Sequence, residues 1–95
     1  MKLRSSDIAG IVKGTLTGPP DLLATEIVTD TRQLSVADGL IFFALKGKNH
    51  DGHNFIESLY GKGIRIFAVE KLPDKPERFK DAAFILTINT VAALQ

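Results

Sequence analysis

Residues 40–69 read LIFFALKGKNHDGHNFIESLYGKGIRIFAV, and their apolar pattern changes twice along the way. The first part, Leu40–Leu45, is apolar without alternation, which is typical of a strand buried on both faces of a sheet. Residues 53–61 then repeat apolar side chains at helical spacing, and Ile64–Val69 predicts a second buried strand. The predicted inner face of the helix carries Phe55, Ile56, Leu59 and Tyr60. Strand, helix and strand form a βαβ unit with parallel strands, so the predicted fold class is α/β, a small mixed sheet with helices packed on it.

The segments on either side of this unit predict further short elements. A first helix is expected with Ser5 or Ser6 as its N-cap and Gly14 as its C-terminal stop. Lys71–Asp81 is rich in Lys and Pro and is expected to be a surface excursion. Asn89 is expected to cap the start of a last helix. Further strands are expected at Thr15–Thr17, Glu26–Thr31 and Phe84–Ile88.

Composition excludes several classes of function. A chain of 95 residues forms at most one domain, and a net charge of +1 argues against a dedicated nucleic-acid or membrane-surface binder. The chain has no cysteine, which excludes disulfide scaffolds and thiolate metal sites and favours a cytoplasmic location. No apolar run approaches the roughly twenty residues that a membrane-spanning helix needs.

The loop Lys46–Gly52 leaves the carboxyl end of a predicted parallel strand and enters a helix. Ligands bind at such positions in open α/β sheets, and the free N–H groups at a helix N-terminus attract anions. Gly47 and Gly52 allow a ligand to approach the backbone closely. The candidate phosphate ligands are Lys46, Lys48, Asn49 and His50. The alternative is an ordinary βα loop in which Asp51 caps the helix, and spacing alone favours this alternative.

A second polar cluster, Thr29–Arg32, lies at the end of another predicted strand. Its Asp and Thr side chains can hydrogen-bond to a base or a ribose, and Arg32 can bind a phosphate with two N–H groups. The alternative is a local Asx or Ser/Thr turn with a surface ion pair. If both clusters lie at the same edge of the sheet, a nucleoside diphosphate can bridge them.

Sharper motifs are missing from the sequence. Neither a Walker A loop, G-x-x-x-x-G-K-[ST], nor a G-x-G-x-x-G fingerprint occurs, so the chain itself offers no nucleotide triphosphate or dinucleotide motif. His50 and His53 are the only histidines, and no Cys completes a zinc set, so we predict no metal site. No nucleophile and base are paired by spacing, and we predict no catalytic residue in this chain.

Taken in order along the chain, these clusters resemble the N-terminal domain of the Mur ligase family. The resemblance rests on Asp30-Thr31-Arg32 at a strand end, Ala44-Leu45-Lys46-Gly47 closing the apolar strand, and Asp51-Gly52-His53-Asn54-Phe55-Ile56 opening a helix. Lys62-Gly63-Ile64 fits the end of that helix in the family. The opening residues 8–18 are most similar to the branch that adds D-alanyl-D-alanine to UDP-N-acetylmuramoyl-tripeptide. The branch that adds the third residue of the peptide stem shares the same motifs.

The resemblance implies the N-terminal part of an ATP-dependent amide-bond ligase of bacterial peptidoglycan synthesis, in the cytoplasm. Residues 1–88 would then be the domain that binds the UDP end of the substrate, and residues 89–95 would begin the connection to a central domain. ATP and Mg²⁺ would bind in that central domain, which would phosphorylate a substrate carboxylate for attack by an amine. The partners would be the UDP-N-acetylmuramoyl-peptide and the other ligase domains. This fragment alone is not expected to be catalytic.

The resemblance also implies roles for individual residues. Thr31 and Arg32 would hold the uracil–ribose end, Phe55 would be a core residue, and the pyrophosphate would be bound by Lys48, Asn49 and His50. The residues expected to orient the loop and the helix are Asp30, Gly47, Asp51 and Gly52. The alternative from a different functional class is a non-catalytic regulatory or interaction module on the same fold.

Overall fold

The computed structural model describes residues 1–30 and 38–95. Its strands are β1 Leu3–Arg4, β2 Thr15–Thr17, β3 Leu23–Ala24, β4 Glu26–Val28, β5 Leu40–Phe43, β6 Ile66–Val69 and β7 Ala83–Leu86. Its helices are α1 Ser5–Ile11, α2 Ile56–Gly61 and α3 Thr90–Leu94, with 3₁₀ turns at Gly52–Phe55 and Pro76–Phe79. No helix in the described ranges has the length and apolar character needed to cross a membrane.

Five of the strands form one mixed sheet in the order β2-β7-β6-β5-β4. β4, β5, β6 and β7 are mutually parallel, whereas β2 pairs antiparallel with β7. β5 and β6 are adjacent, with Phe42 opposite Phe67, and α2 connects them. The predicted βαβ unit and the α/β fold class are therefore confirmed. A separate two-stranded ribbon pairs β1 with β3.

Both faces of the sheet are covered, which explains the uninterrupted apolar run in β5. Phe42 packs towards α2, in a cluster with Phe67, Phe84 and Leu59. Its neighbours in the strand, Ile41 and Phe43, point to the opposite face and lie in the cluster with Ile8 and Ala9 of α1. Alternate residues of one strand thus fill two cores, so neither face tolerates a polar side chain.

Helix α1 begins and ends differently from the prediction. The structure places the N-cap at Arg4, whose N–H donates to Asp7 Oδ2 at 3.0 Å, so neither Ser5 nor Ser6 is the cap. Ser5 is buried and its hydroxyl donates to the carbonyl of Pro19 at 2.7 Å. At the other end Lys13, rather than Gly14, adopts the left-handed conformation, with φ of 57°.

Two predictions at the far end of the sheet are also corrected. Lys71–Asp81 is not only a surface excursion, because Phe79 from its 3₁₀ turn is buried and packs edge-on against Tyr60, with centroids 4.9 Å apart. The last strand ends at Leu86, and Ile88 is exposed. The helix after it is capped as predicted, since Asn89 Oδ1 accepts from the N–H of Ala92 at 3.0 Å.

Candidate functional site

The carboxyl ends of β4, β5, β6 and β7 lie along one edge of the sheet because these strands are parallel. We call this the carboxyl edge. β4 ends at Val28, two residues before Asp30, and pairs with the strand that leads into the 46–52 loop. Glu70 follows β6 directly, and Thr87–Asn89 connects β7 to α3. Open parallel sheets bind their ligands at such an edge.

The 46–52 loop is a tight hairpin-like excursion above this edge. Lys46 and Asp51 form an antiparallel bridge, and the N–H of Gly47 donates to the carbonyl of His50 at 2.7 Å. Lys48 and Asn49 are therefore left at the tip. Both are exposed, and neither side chain hydrogen-bonds to any residue in the ranges 1–30 and 38–95. The tip thus presents one cation and one amide to solvent.

Asp51 caps the helical segment that follows the loop, as the alternative interpretation of this loop predicted. Its Oδ1 accepts from the backbone N–H of His53 at 3.0 Å, and its own carbonyl accepts from Asn54 at 3.1 Å. A side-chain carboxylate therefore already lies at this helix N-terminus. The expectation that free N–H groups at this helix N-terminus attract an anion is therefore wrong. The donors of the loop itself remain as the candidate phosphate ligands.

Gly52 is held against the end of β5. Its N–H donates to the carbonyl of Leu45 at 2.8 Å, and it is buried. A Cβ at this position would lie 2.9 Å from both Ala44 Cα and Leu45 N. Only glycine fits so close to the strand backbone at this position. The same substitution at Gly47 would bring Cβ no closer than 4.0 Å to the carbonyl oxygen of His50.

Behind the loop, polar groups from four segments form a continuous chain of hydrogen bonds. His53 Nδ1 lies 2.6 Å from Asp51 Oδ1, and its Nε2 accepts from the N–H of Glu70 at 2.9 Å. Glu70 Oε2 accepts from the N–H of Thr90 at 3.0 Å. The hydroxyl of Thr90 lies 2.9 Å from the carbonyl oxygen of Ala44 and 3.2 Å from Glu70 Oε2. We call these five residues the anchor network.

The anchor network also affects the charge state of the carboxylate at its outer end. The hydrogen bond from the side chain of His53 lowers the pKa of Asp51, and the backbone N–H of His53 lowers it further. Lys46 contributes a smaller electrostatic effect in the same direction. Asp51 is therefore ionised at neutral pH, as an N-cap and an imidazole partner require.

One aromatic prediction is wrong. Phe55 was expected in the core, but 37% of its surface is exposed, and its ring stacks on that of His50 with centroids 5.8 Å apart. Phe55 lies in the 3₁₀ turn rather than in α2, so the helical spacing used for the prediction does not apply to it. His50 is thereby held over the first turn beside the loop.

The structure brings together most, but not all, of the predicted site residues. Gly47, Lys48, Asn49, His50, Asp51 and Gly52 form the loop described above, and Asp30 follows β4 on the same edge. Thr31 and Arg32 lie outside the described residues. Among the residues that the structure describes, no three His, Asp or Glu side chains are grouped to hold a metal ion.

Sequence reasoning missed most of the anchor network. His53 was considered as a metal ligand, as a first-turn helix residue or as a partner of Asp30, and Glu70 and Thr90 were given no role at the site. The Asp51-Gly52-His53 spacing, with a carboxylate two residues before an imidazole at a helix start, was the available signal. Glu70 and Thr90 are 17 and 37 residues beyond His53, so only the sheet topology brings them to it.

Comparison with known families identifies relatives for most of the chain. The family described as "Mur ligase family, catalytic domain" matches residues 24–94. The UDP-N-acetylmuramoyl-tripeptide–D-alanyl-D-alanine ligase of Bacillus subtilis is 35% identical over 98 aligned positions, covering 100% of this chain and 20% of its own length. The UDP-N-acetylmuramoyl-L-alanyl-D-glutamate–2,6-diaminopimelate ligase of Clostridium tetani is 35% identical, covering 83% of this chain and 16% of its own length.

Solved structures give the same result for the fold. A crystal structure of MurF from Acinetobacter baumannii superposes with a TM-score of 0.82 at 25% sequence identity. The superposition covers 99% of this chain and 20% of the Acinetobacter chain. The chain therefore spans about a fifth of the length of the relatives that it matches over its whole length.

Proposed function

This chain belongs to the Mur ligase family, and from that premise we propose that it is the part of a peptidoglycan ligase that anchors the UDP end of the substrate. The reaction we propose for the whole protein is the ATP-dependent addition of D-alanyl-D-alanine to UDP-N-acetylmuramoyl-tripeptide, the activity in the name of the Bacillus relative. Such a reaction forms a C–N bond between an activated carboxylate and an amine.

The observation that carries the proposal is the shared carboxyl edge. β4 and β5 are adjacent and parallel, so the segment after Val28 and the 46–52 loop leave the sheet side by side. Two polar clusters that are separated in sequence thus begin at neighbouring strand ends. We infer that one nucleoside diphosphate contacts both clusters.

We assign the diphosphate to the loop tip. Lys48 is exposed, and within the described part of the chain its side chain has no hydrogen-bond partner, so a phosphate oxygen costs it no existing interaction. Asn49 beside it can donate through its amide. His50, held by its stack on Phe55, completes the set of donors. Thr31 and Arg32 are proposed at the uracil–ribose end, next to Asp30.

The role of this chain in the reaction is positional. Holding the nucleotide end at a distance from the reacting carboxylate allows binding energy to orient the reactive end of the substrate. Residues 1–88 form the proposed UDP-binding domain, and residues 89–95 begin the proposed connection to a central domain. We propose a cytoplasmic location, where nucleotide-linked substrates and ATP are available.

Residues 1–30 and 38–95, as the structure describes them, offer no site that fits ATP or Mg²⁺. The sequence has no Walker A loop, and the described residues offer no carboxylate cluster for a cation. We therefore place both in the proposed central domain and derive no step of the reaction from them here. The chain by itself is proposed to bind substrate without turning it over.

The ligase that adds the third stem residue is the second candidate, because the Clostridium relative with that name is also 35% identical to this chain. Both candidates use a UDP-linked substrate, so the proposed UDP site is common to them. Assaying the full-length ligase with D-alanyl-D-alanine and with 2,6-diaminopimelate as the amine distinguishes the two.

The proposed phosphate role of Lys48 is tested by comparing UDP with uridine as ligands of this chain. Lys48→Ala is expected to weaken UDP binding by roughly three- to tenfold, because one charge-assisted hydrogen bond at an exposed site is lost. Binding of uridine should change by less than about twofold, since uridine carries no phosphate. Isothermal titration calorimetry measures both affinities.

Lys62→Ala is the matched control for this comparison. Lys62 is also exposed, and it follows the C-terminal end of α2 at the opposite edge of the sheet. Because both residues are lysines, Lys62→Ala changes the net charge by the same amount as Lys48→Ala. If both variants weaken UDP binding to the same extent, the effect is general electrostatics and the assignment of Lys48 fails. If the unmodified chain binds no UDP, a non-catalytic module on the same fold becomes the better description.

A further inference from the structure

We propose that the anchor network of Ala44, Asp51, His53, Glu70 and Thr90 is a positioning device that fixes the 46–52 loop in the shape that receives a diphosphate. The inference rests on the proposed function for the identity of the ligand, and on the hydrogen bonds of the described residues for the device itself. None of its three inner members, His53, Glu70 and Thr90, is a proposed ligand of the substrate.

The hydrogen bonds of His53 determine which of its two ring nitrogens carries the proton. The backbone N–H of Glu70 can only donate, so Nε2 of the imidazole must be the acceptor and carries no proton. Nδ1 then bears the proton and donates to Oδ1 of Asp51. Only the neutral Nδ1–H tautomer makes both hydrogen bonds. The side chain of His53 is 6% exposed, so water does not easily replace either partner.

The hydrogen bonds of the anchor network close it into a ring. Ala44 follows β5 directly on the way into the loop, and His53 is the second residue of the 3₁₀ turn that ends it. His53 is bound to the backbone of Glu70, Glu70 to Thr90, and the Thr90 hydroxyl to the carbonyl of Ala44. Both ends of the loop are thus fastened to the same pair of residues.

Thr90 is the critical member because it is fully buried and joins two of the ring's segments. Its N–H binds the carboxylate of Glu70, and its hydroxyl is within hydrogen-bond distance of both Ala44 and Glu70. The hydroxyl has one proton, so it donates to one oxygen at a time. Thr90 is also the first residue of α3, so the ring fixes the start of that helix together with the loop.

The consequence for binding follows from the populations of loop conformers. The side chains of Lys48 and Asn49 make no hydrogen bonds to the described residues, so the shape of the loop depends on its internal backbone bonds and on its fastened ends. If a ring member is removed, the binding-competent conformer becomes a smaller fraction, and the apparent dissociation constant rises by the inverse of that fraction. His53, Glu70 and Thr90 are therefore positioning residues.

The tautomer of His53 is tested by nitrogen-15 NMR of the imidazole rings in this chain at neutral pH. We expect His53 to show a protonated Nδ1 and an unprotonated Nε2 in a single, slowly exchanging form. Exposed His50 is the internal control and is expected to show rapid exchange between tautomers. A protonated Nε2 on His53, or the same averaged signals for both histidines, would overturn the inference.

The positioning role is tested with Thr90→Val and Thr90→Ser. Valine keeps the shape and removes the hydroxyl, so we expect shifted and broadened amide signals for residues 46–52, and UDP binding weakened about fivefold or more. Serine keeps the hydroxyl and is expected to bind UDP within about twofold of the unmodified chain. Loop signals and affinity unaffected by valine would contradict the proposal.

These experiments distinguish a failure of the proposed function from a failure of the proposed positioning role. If the unmodified chain binds no UDP, the proposed function fails, and the ring is judged by the His53 tautomer and by the loop signals of Thr90→Val alone. If UDP binds but Thr90→Val behaves like the unmodified chain, the proposed function stands and the ring has no positioning role. Should the valine variant fail to fold, Glu70→Ala provides the same readouts, because it removes the carboxylate that accepts from the N–H of Thr90.

Discussion

Gly52→Ala is expected to lower the free energy of unfolding by about 1–3 kcal/mol, the range for inserting a methyl group where there is no space. The new Cβ would lie 2.9 Å from Ala44 Cα and from Leu45 N. These are backbone atoms at the end of β5, where the N–H of Ala44 is bonded to the carbonyl of Ala68 at 2.9 Å. The strand cannot move aside without losing sheet hydrogen bonds, so the strain falls on the loop. A loss of this size is a large part of a small domain's total stability.

Gly47→Ala is the matched control within the same loop. A Cβ there has the carbonyl oxygen of His50 as its nearest neighbour at 4.0 Å, which is an ordinary contact. Gly47 is not among the glycines with positive φ, so alanine can adopt its conformation. We expect its stability to lie within about 0.5 kcal/mol of the unmodified chain. Urea denaturation at neutral pH measures both variants.

Two results of comparing Gly52→Ala with Gly47→Ala would contradict this explanation. If Gly52→Ala is as stable as Gly47→Ala, the loop does not lie as close to β5 as described, and the position of the anchor network above it is wrong as well. If both variants are strongly destabilised, glycine is needed for backbone freedom throughout the loop, and close contact at Gly52 is not the reason.

Arg32→Ala in the full-length ligase is expected to raise the KM for the UDP-linked substrate by roughly ten- to hundredfold. This range corresponds to the loss of a charge-assisted hydrogen bond, about 1.5–3 kcal/mol. The proposed contact is made to a part of the substrate far from the reacting carboxylate, so it is equally strong before and during the reaction. For this reason kcat should change much less than KM, and the KM for ATP should stay within about twofold.

Arg78→Ala is the control for removing an arginine. Arg78 is exposed and lies 3.2 Å from Glu57 Oε1, in the kind of surface ion pair that contributes little to stability. Steady-state kinetics with each substrate varied in turn should show no change in either KM for this variant. An unchanged KM for the UDP-linked substrate in Arg32→Ala would refute the proposed role of Arg32.

The fold was predictable from the sequence where the apolar pattern of one strand or helix is enough to indicate which of its faces are buried. The uninterrupted apolar run of Leu40–Leu45 requires two covered faces, and this requirement led to a parallel strand within a βαβ unit. The prediction failed where another element supplies the partner. Phe79 is buried because its ring packs against the rings of Tyr60 and Phe84, and no residue near Phe79 in the sequence indicates these contacts. Phe55 failed because a 3₁₀ turn replaced the first helical turn.

The candidate site was predictable to a similar degree. The 46–52 loop was recognisable because its glycines, cations and N-cap carboxylate are consecutive in the sequence. The anchor network was not, because Asp51 and His53 follow β5, Glu70 follows β6 and Thr90 follows β7, and they meet only when parallel pairing aligns those strand ends. The cap by Asp51 also shows why a helix N-terminus alone does not indicate an anion site, since a side chain of the protein already lies there.

Titrating isotope-labelled chain with UDP, and following the backbone amides by NMR, tests most directly whether one nucleoside diphosphate bridges two strand ends. We predict saturable shifts in two groups, residues 30–32 after β4 and residues 46–52 after β5, with the remaining amides of the sheet nearly unchanged. Shifts in only one of these groups, shifts confined to other surfaces, or none at millimolar UDP would contradict the account.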